Sequence, residues 1–167
     1  MSILDLYHGG ESPVVSPSCA SPRAGRPLDF GSGFYTTTSL DQAERWVGIR
    51  LRQKAYTKGC VSHYRCHPER LVGSLNVLRF DGAKEEWFDF VMANRHDPDF
   101  THNYDIVWGP VANDNVYETL TLFEDGIISK QEAIARLKTY KLVDQILFHS
   151  EQALAMLEFV DSKDCII

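Results

Sequence analysis

The sequence has little that would tie the protein to a membrane or to a broad polyanionic surface. No apolar run approaches the roughly 20 residues that a membrane-spanning helix needs. The opening segment, MSILDLYHGG, has neither a basic region nor a long apolar stretch, which argues against a cleaved signal peptide. The net charge of −6 disfavours a wide nucleic-acid-binding face, although a local basic groove is compatible with it. We therefore expect a cytoplasmic protein that does not associate with a membrane.

Cysteine is also scarce, with four residues in 167. A chain of this length buries enough apolar surface to fold without disulfide bonds, so we expect free thiols in a reducing compartment. The segment CVSHYRCH at 60–67 brings two cysteines and two histidines together, which raises the question of a zinc site. Its spacing fits no common zinc pattern, and alternation along a strand would put the cysteines and the histidines on opposite faces. We interpret the segment as a strand.

The hydrophobic pattern predicts a single α+β domain over residues 1–167. We find no internal repeat, low-complexity tract or interdomain linker. Strands are expected at 3–9, 61–67, 75–80, 104–111, 145–149 and 157–161. Helices are expected from Ser39 to about Lys58, at 84–95, at 116–124, from Ser129 to about Tyr140, and at 150–156. Residues 10–28 form a loop long enough to indicate a functional role.

The segment DFGSGFYTTTSLDQAERW at 29–46 is the most informative stretch. Gly31 and Gly33 bracket a turn that leads into Tyr35, and Trp46 follows eleven residues after that tyrosine. Glycines beside aromatic residues indicate a backbone that closely approaches a flat group, because a side chain on either glycine would block the approach. The segment therefore predicts a binding surface for a planar ligand.

Two further segments complete the pattern. LYHGG at 6–10 puts His8 at the end of the first strand, and VDQILFHSEQAL at 143–154 puts Gln145 at the start of a late strand. In their order and spacing, LYHG, DFGSGFYTT, QAERW and DQILFH resemble the diphtheria-toxin-like and poly-ADP-ribose-polymerase-like branch of the ADP-ribosyltransferase superfamily. They look closer still to an uncharacterised bacterial family of such domains. The resemblance extends over essentially the whole chain.

The resemblance implies an ADP-ribosyltransferase-like fold, in which two small mixed or antiparallel sheets surround an NAD cleft and helices flank them. It also implies an NAD-dependent mono-ADP-ribosyltransferase, which moves ADP-ribose from NAD, its substrate, to a macromolecular acceptor and releases nicotinamide. Such bacterial domains often act as toxins, so a cognate antitoxin protein is an expected partner. Protein and nucleic acid both stay open as the acceptor, and a short basic rim near Arg50, Arg52 and Lys54 would guide the latter. No metal is expected.

The resemblance assigns roles to the ring and glycine positions. His8 corresponds to the histidine that hydrogen-bonds a ribose hydroxyl of NAD, and the backbone of Gly9 would hold the nicotinamide carboxamide. Tyr35 corresponds to the tyrosine that packs along the nicotinamide ribose, and Trp46 to a second aromatic residue, so that the cationic nicotinamide would lie between two rings. Taken singly, His8 also fits a strand-end histidine bonded to a carbonyl, and the two aromatic residues fit core positions.

Gln145 departs from the family pattern, which often has a glutamate there. Cleavage of the glycosidic bond builds positive charge on the ribose, and a carboxylate would stabilise that charge. A glutamine amide orients a ribose hydroxyl without supplying charge. Three interpretations therefore stay open: a slower enzyme, an enzyme with another acid or base, or a catalytically degenerate module that binds NAD or ADP-ribose. Some members of the superfamily lack the glutamate and still transfer single units, so mono-transfer is compatible with Gln145, whereas chain elongation is not.

Other residues are candidates for the same site. Asp114 is one source of the missing carboxylate, and an N-cap of the following helix is the alternative. Arg26 is placed to meet the NAD pyrophosphate as a bidentate donor, with Arg23 as a weaker choice, unless both are solvated loop charges. Thr36 is expected to donate a hydrogen bond to the carboxamide or to the ribose.

Overall fold

A computed structural model describes residues 3–19, 28–70, 73–110 and 114–165, with only the backbone of Asp114. In these residues the fold is α+β, with two small sheets and five α-helices. The strands are β1 (Leu4–Gly10), β2 (Phe34–Thr36), β3 (Gly59–Cys66), β4 (Val77–Arg79), β5 (Ile106–Pro110), β6 (Asp144–Phe148) and β7 (Leu157–Cys165). The helices are α1 (Leu40–Arg52), α2 (Glu85–His96), α3 (Asp114–Glu124), α4 (Lys130–Leu137) and α5 (Glu151–Leu154). None of these helices combines the length and apolar character needed to cross a bilayer.

The helix starts predicted from capping residues are confirmed. The hydroxyl of Ser39 accepts from the backbone N–H of Gln42 at the start of α1, and Ser129 caps α4 in the same way through Glu132. Each hydroxyl satisfies one of the backbone donors that the first turn of a helix leaves open.

The predicted end of α1 near Lys58 is wrong. The helix ends at Arg52, and Lys54 follows in the left-handed conformation with a φ of 56°. A residue in that conformation turns the chain out of the helix, a role that glycine usually fills. Because a lysine fills it here, no local pattern in the sequence indicates the stop. Helix α4 also ends earlier than predicted, at Leu137.

The two sheets pack face to face between layers of helices. The first sheet is antiparallel with the order β1-β3-β7, and the second has the order β2-β6-β5-β4, in which only β4 and β5 run parallel. The core between the sheets includes Leu6 and Tyr64 from the first and Phe34 and Phe148 from the second. Helix α1 covers the outer face of the first sheet, and α2, α3 and α4 cover that of the second.

The cysteine- and histidine-rich segment lies in β3, which confirms its interpretation as a strand. Cys60 and Cys66 are buried with free thiols, as is expected of cysteines that face a core. His63 points away from them to the surface, where it lies between the carboxylates of Asp5 and Asp161. The described residues include no group of side chains suited to hold a metal ion.

Candidate functional site

Strands β1 and β2 meet at one point and then part. The backbones of Tyr7 and Thr37 exchange two hydrogen bonds, with N···O distances of 2.8 and 2.9 Å. In a continuous antiparallel ladder the next such pair would join Gly9 to Tyr35. The described strands lack that pair, and the Nδ1–H of His8 instead donates to the carbonyl oxygen of Tyr35 at 2.7 Å. The strands therefore separate beyond Tyr7, and we call the opening the β1–β2 split.

Gly9 directs its backbone groups into the β1–β2 split. Because Tyr7 points its N–H and C=O toward Thr37, alternation along β1 points those of Gly9 to the same side, away from β3. No described residue forms a backbone hydrogen bond with Gly9 on that side. The residue also lies tightly under α1, since a Cβ built on it would stand 2.7 Å from a helix carbonyl and 3.3 Å from Cδ1 of Trp46. Gly9 thus offers a donor and an acceptor that no described residue pairs, at a point where no side chain fits.

Trp46 borders the same place from α1. Ala43 and Val47 supply the buried face of that helix, whereas the indole of Trp46 is only partly buried. Its Cδ1 would stand 3.3 Å from a Cβ built on Gly9, and the guanidinium of Arg50 lies 5.5 Å from its ring centroid. Trp46 therefore lies beside Gly9, and the core interpretation of Trp46 is not supported by its exposure.

Tyr35 is anchored within its own turn. Its hydroxyl donates to the carbonyl of Gly31 and accepts from the backbone N–H of Phe30. Burial of this hydroxyl raises the pKa of the phenol, because the charged form would lose its hydration. The ring of Tyr35 and the ring of Phe34 point to opposite faces of β2. The ring of His8 packs against the ring of Phe34, with a centroid distance of 4.4 Å. His8 and Tyr35 therefore meet through a backbone carbonyl and not through their rings.

Residues 30–33, which we call the glycine turn, have three consecutive carbonyls that each accept a hydrogen bond from a different aromatic or histidine side chain. We call this arrangement the ring brace. The pairs, carbonyl first, are Phe30 with His102 Nε2, Gly31 with the Tyr35 hydroxyl, and Ser32 with His149 Nδ1. The rings of His102 and His149 lie 4.4 Å apart. The sequence did not predict this role for either histidine, since the contacts join distant segments without a local pattern.

His102 is held in one neutral tautomer. Its Nε2–H donates to the carbonyl of Phe30 at 2.7 Å, while its Nδ1 accepts from the backbone N–H of Tyr104 at 3.2 Å. Burial lowers the pKa of His102, and the neighbouring His149 lowers it further because two positive rings would repel. The neutral ring is therefore the form that the folded protein favours.

The glycines of the turn fit the protein's own backbone. A Cβ on Gly33, whose φ is 141°, would stand 2.5 Å from the carbonyl oxygen of Phe148. Gly31 has a φ of 94°, and a Cβ there would stand 3.1 Å from Nε2 of His102. The close neighbours of these two glycines are thus strand β6 and a histidine ring. The surroundings of Gly31 and Gly33 therefore do not support the prediction of a planar ligand against them.

Gln145 lies in β6 opposite Gly109. If the pairing of β2 with β6 is extended by one residue, Gln145 lies beside Thr37. Thr37 is the residue whose backbone bonds to Tyr7 at the closed end of the split. Its Nε2 is buried and has no hydrogen-bond partner in the described structure. An unpaired buried donor costs about 1–3 kcal/mol, so the position favours an acceptor supplied by a ligand or an ordered water.

Asp144, directly before Gln145, is not among the residues that the sequence predicted for the site. Its carboxylate accepts from the hydroxyls of Thr37 and Thr38, from the backbone N–H of Thr38 and from Nε1–H of Trp108. These bonds pin the end of β2 to β6 and thereby fix the closed end of the split. The signal was present in the threonine run after Tyr35.

Asp29 is a second carboxylate that the sequence did not predict for the site. It is buried directly before the glycine turn, and its carboxylate pairs with Arg95 at 3.4 Å. The guanidinium of Arg95 also lies 3.3 Å from the carboxylate of Glu124. Burial raises the pKa of Asp29, although the positive Arg95 opposes the shift. The carboxylate therefore supports the turn from the side of α2 and α3.

Of the remaining predicted site residues, Thr36 is the one whose side chain the structure describes, and it is not brought to the split. Thr36 is buried, and its hydroxyl donates to the carbonyl of Ile146 at 3.2 Å, so the structure does not support its role as a donor to NAD. Arg23 and Arg26 lie outside the described residues, as does the side chain of Asp114, the first residue of α3.

Two cavities are described, and predicted site residues line neither of them. One, of about 460 Å³, lies beside Glu11, Lys58 and Cys165, just past Gly10 at the C-terminal end of β1. The other, of about 400 Å³, lies beside Lys84 and Tyr140 at the start of α2. The candidate site is therefore defined by the groups along the β1–β2 split that have no partner among the described residues.

One protein-family model matches residues 4–159 of the chain, and its description is protein of unknown function (DUF3990). No curated protein and no solved structure matches the chain. The matched range contains both strands of the split and every described residue of the candidate site.

Proposed function

The chain belongs to the DUF3990 family of proteins of unknown function, and for it we propose an NAD-dependent mono-ADP-ribosyltransferase with an ADP-ribosyltransferase-like fold. In this reaction the bond between the ribose anomeric carbon and the nicotinamide nitrogen breaks, and its electron pair leaves with nicotinamide. A nucleophile on a macromolecular acceptor attacks the anomeric carbon and loses its proton.

The backbone of Gly9 carries the proposal. A primary carboxamide has one acceptor oxygen and donor hydrogens on one edge, which complement the N–H and C=O that Gly9 directs into the split. In a continuous ladder those groups would bond to Tyr35, but the imidazole of His8 occupies the carbonyl of Tyr35. The strand edge is thereby kept open at a single residue, as capture of a nicotinamide requires.

Trp46 and His8 supply the next contacts in the proposal. The indole stands at van der Waals range of Gly9, where a ring bound to that backbone would stack on it. Because the carbonyl of Tyr35 only accepts, a neutral His8 carries its proton on Nδ1 and presents Nε2 as an acceptor. We assign Nε2 to a hydroxyl of the nicotinamide ribose.

Gln145 completes the contacts with the ribose. Its buried Nε2 is a donor without a partner among the described residues, and a ribose hydroxyl oxygen is a suitable acceptor. The amide orients that hydroxyl but adds no negative charge beside the developing cation. Loss of such an electrostatic contribution costs roughly a hundredfold in rate, so we expect slow turnover.

In the proposed setting the protein is a bacterial toxin that a cognate antitoxin protein restrains. Support for this setting comes only from the resemblance of the sequence motifs. Expression of the wild-type protein without an antitoxin is expected to arrest growth of a bacterial host, whereas the His8→Ala variant is not.

Nicotinamide release tests the activity. The purified protein is incubated with NAD and either cell lysate or nucleic acid, and free nicotinamide is measured over time. The wild-type protein is expected to release nicotinamide and to label an acceptor, and His8→Ala to release none above background. His96→Ala is the matched control, because His96 is an exposed histidine on α2, away from the split. Release that is the same in the wild type and in His8→Ala would contradict the proposal.

A module that binds NAD or ADP-ribose without turnover is the second candidate, and the neutral amide of Gln145 favours it. Calorimetry that shows NAD binding without consumption would distinguish it from the enzyme. Gln145→Glu then tests whether only the charge is missing, since a restored carboxylate would start nicotinamide release.

A further inference from the structure

The guanidinium of Arg50 lies close to two aromatic rings beside the β1–β2 split. Its Cζ is 5.5 Å from the ring centroid of Trp46 and 5.4 Å from that of Tyr56. Both distances fall within the roughly 6 Å over which a cation is attracted to an aromatic face. The indole that borders Gly9 is thus in direct contact with a fixed positive charge.

The end of α1 is built to hold this arrangement. The carbonyl of Arg50 accepts from the backbone N–H of Ala55 at 2.9 Å and from that of Tyr56 at 3.3 Å. The left-handed conformation of Lys54 makes this reversal of the chain, and the reversal brings the ring of Tyr56 back onto the helix. The backbone therefore holds the guanidinium of Arg50 close to the rings of both Trp46 and Tyr56.

The charge of Arg50 is not neutralised within the described structure. Its Nε is buried and has no hydrogen-bond acceptor there. None of the ion pairs between described residues includes Arg50. An unpaired cation that is partly shielded from water exerts a stronger field on its neighbours than a solvated one.

We propose that Arg50 makes the candidate site at Gly9 and Trp46 discriminate by charge, holding a neutral nicotinamide ring more tightly than the cationic ring of NAD. This inference rests on the proposed function. A pyridinium stacked on Trp46 would stand close to the guanidinium, and the two positive charges repel. When the glycosidic bond breaks, its electron pair neutralises the nicotinamide ring and the positive charge moves to the ribose carbon, away from Arg50. The repulsion is present in the substrate and relieved in the transition state, so it favours departure.

The size of the effect follows from Coulomb's law. Two unit charges about 8 Å apart in a partly solvated site interact strongly enough to change a binding constant by roughly threefold to tenfold. Removal of the charge should therefore tighten binding of NAD by that factor while leaving a neutral ring unaffected. It should also lower the rate of nicotinamide release at saturating NAD.

Paired titrations test the inference. Dissociation constants are measured for NAD, whose nicotinamide ring is cationic, and for NADH, whose ring is neutral, with the wild-type protein and its variants. Arg50→Met replaces the charged side chain by an apolar one beside the rings. Arg50→Gln replaces it by a neutral polar one, and Arg50→Lys keeps the positive charge. Arg52→Met is the matched control, because Arg52 is an exposed cation two residues later with no aromatic partner in the described structure.

We expect the ratio of the NAD to the NADH dissociation constant to fall about threefold to tenfold in Arg50→Met and Arg50→Gln and to stay at the wild-type value in Arg50→Lys and Arg52→Met. Equal changes for both ligands in the uncharged variants would overturn the inference and reduce Arg50 to a structural support. If Arg50→Met does not fold, Arg50→Gln gives the same ratio. Failure of the wild-type protein to bind either ligand would instead refute the proposed function itself.

Discussion

The imidazole of His8 and the backbone carbonyl of Tyr35 are joined by a 2.7 Å hydrogen bond across the β1–β2 split. The bond replaces one rung of a ladder that would otherwise continue from Tyr7 and Thr37. A side chain longer than the backbone group it replaces keeps the two strands apart while still joining them. His8 therefore fixes the width of the split, whether or not it also contacts a ligand.

Two substitutions of His8 separate these roles. In His8→Asn the side-chain amide keeps a donor near the position of Nδ1, so we expect stability close to that of the wild type and loss of nicotinamide release. In His8→Ala the bond is lost as well, and the free energy of unfolding should fall by about 1 kcal/mol. Urea denaturation and nicotinamide release are measured on the same samples. An active His8→Asn variant would show that Nε2 does not contact the substrate.

Substitution of Gln145 should change stability and activity in opposite directions. Gln145→Met removes a buried donor that has no partner among the described residues, so we expect unchanged or higher stability, by up to about 1 kcal/mol, together with loss of activity. Gln145→Glu buries a charge and should cost about 1–3 kcal/mol near pH 7, while raising the rate of nicotinamide release. Thermal unfolding and initial rates report the two quantities. Destabilisation by Gln145→Met would indicate that the amide has a structural partner.

Gly33 and Gly126 form a matched pair for testing the glycine turn. Both have a positive φ, but a Cβ on Gly33 would meet the carbonyl oxygen of Phe148 at 2.5 Å, whereas one on Gly126 would meet nothing within 4 Å. Gly126→Ala should therefore cost only the backbone strain, about 1 kcal/mol. Gly33→Ala should cost about 3 kcal/mol or more, because strand β6 must also move. Similar losses for the two variants, measured by urea denaturation, would contradict the close packing of the turn against β6.

Protonation of His102 should destabilise the ring brace. The folded protein lowers the pKa of this histidine below its ordinary value of 6.5, so the unfolded chain binds the proton more readily. The stabilising contribution is then complete above about pH 6.5 and is lost as the pH falls through the lower, folded pKa. A protonated Nδ1 also cannot accept from the backbone of Tyr104.

His102→Gln, which keeps a donor for the carbonyl of Phe30, is the variant that tests this dependence. We expect it to be less stable than the wild type at pH 8, since it loses contacts with Phe90 and His149, and to lose less stability on acidification to pH 5. The free energy of unfolding is measured at several pH values for both proteins. Parallel curves would exclude His102 as the source of the acid sensitivity.

Local sequence patterns predicted the elements that depend on neighbouring residues. The caps at Ser39 and Ser129 lie within three residues of the N–H groups they accept from, and the strand containing Cys60 and Cys66 alternates as expected. The stop of α1 was not predictable in the same way, because Lys54 carries a conformation that its residue type rarely adopts.

The contacts that shape the site join segments far apart in the chain. His102 is 72 residues from Phe30, and His149 is 117 residues from Ser32, so spacing alone does not reveal either partner. The motifs placed His8 and Gly9 at a strand end. They did not show that a side chain would interrupt the ladder between two sheets, because that depends on how the sheets diverge in three dimensions.

The ring brace has a thermodynamic consequence for any ligand of the split. Because three carbonyls in succession are already bonded, the turn that carries Tyr35 loses its conformational freedom when the protein folds and not when a ligand arrives. Association with a preorganised surface of this kind requires little rearrangement, and its rate should approach the value set by diffusion and orientation. The balance between the affinity for NAD and the rate of nicotinamide release would then depend on Trp46 and Arg50, which lie outside the braced turn.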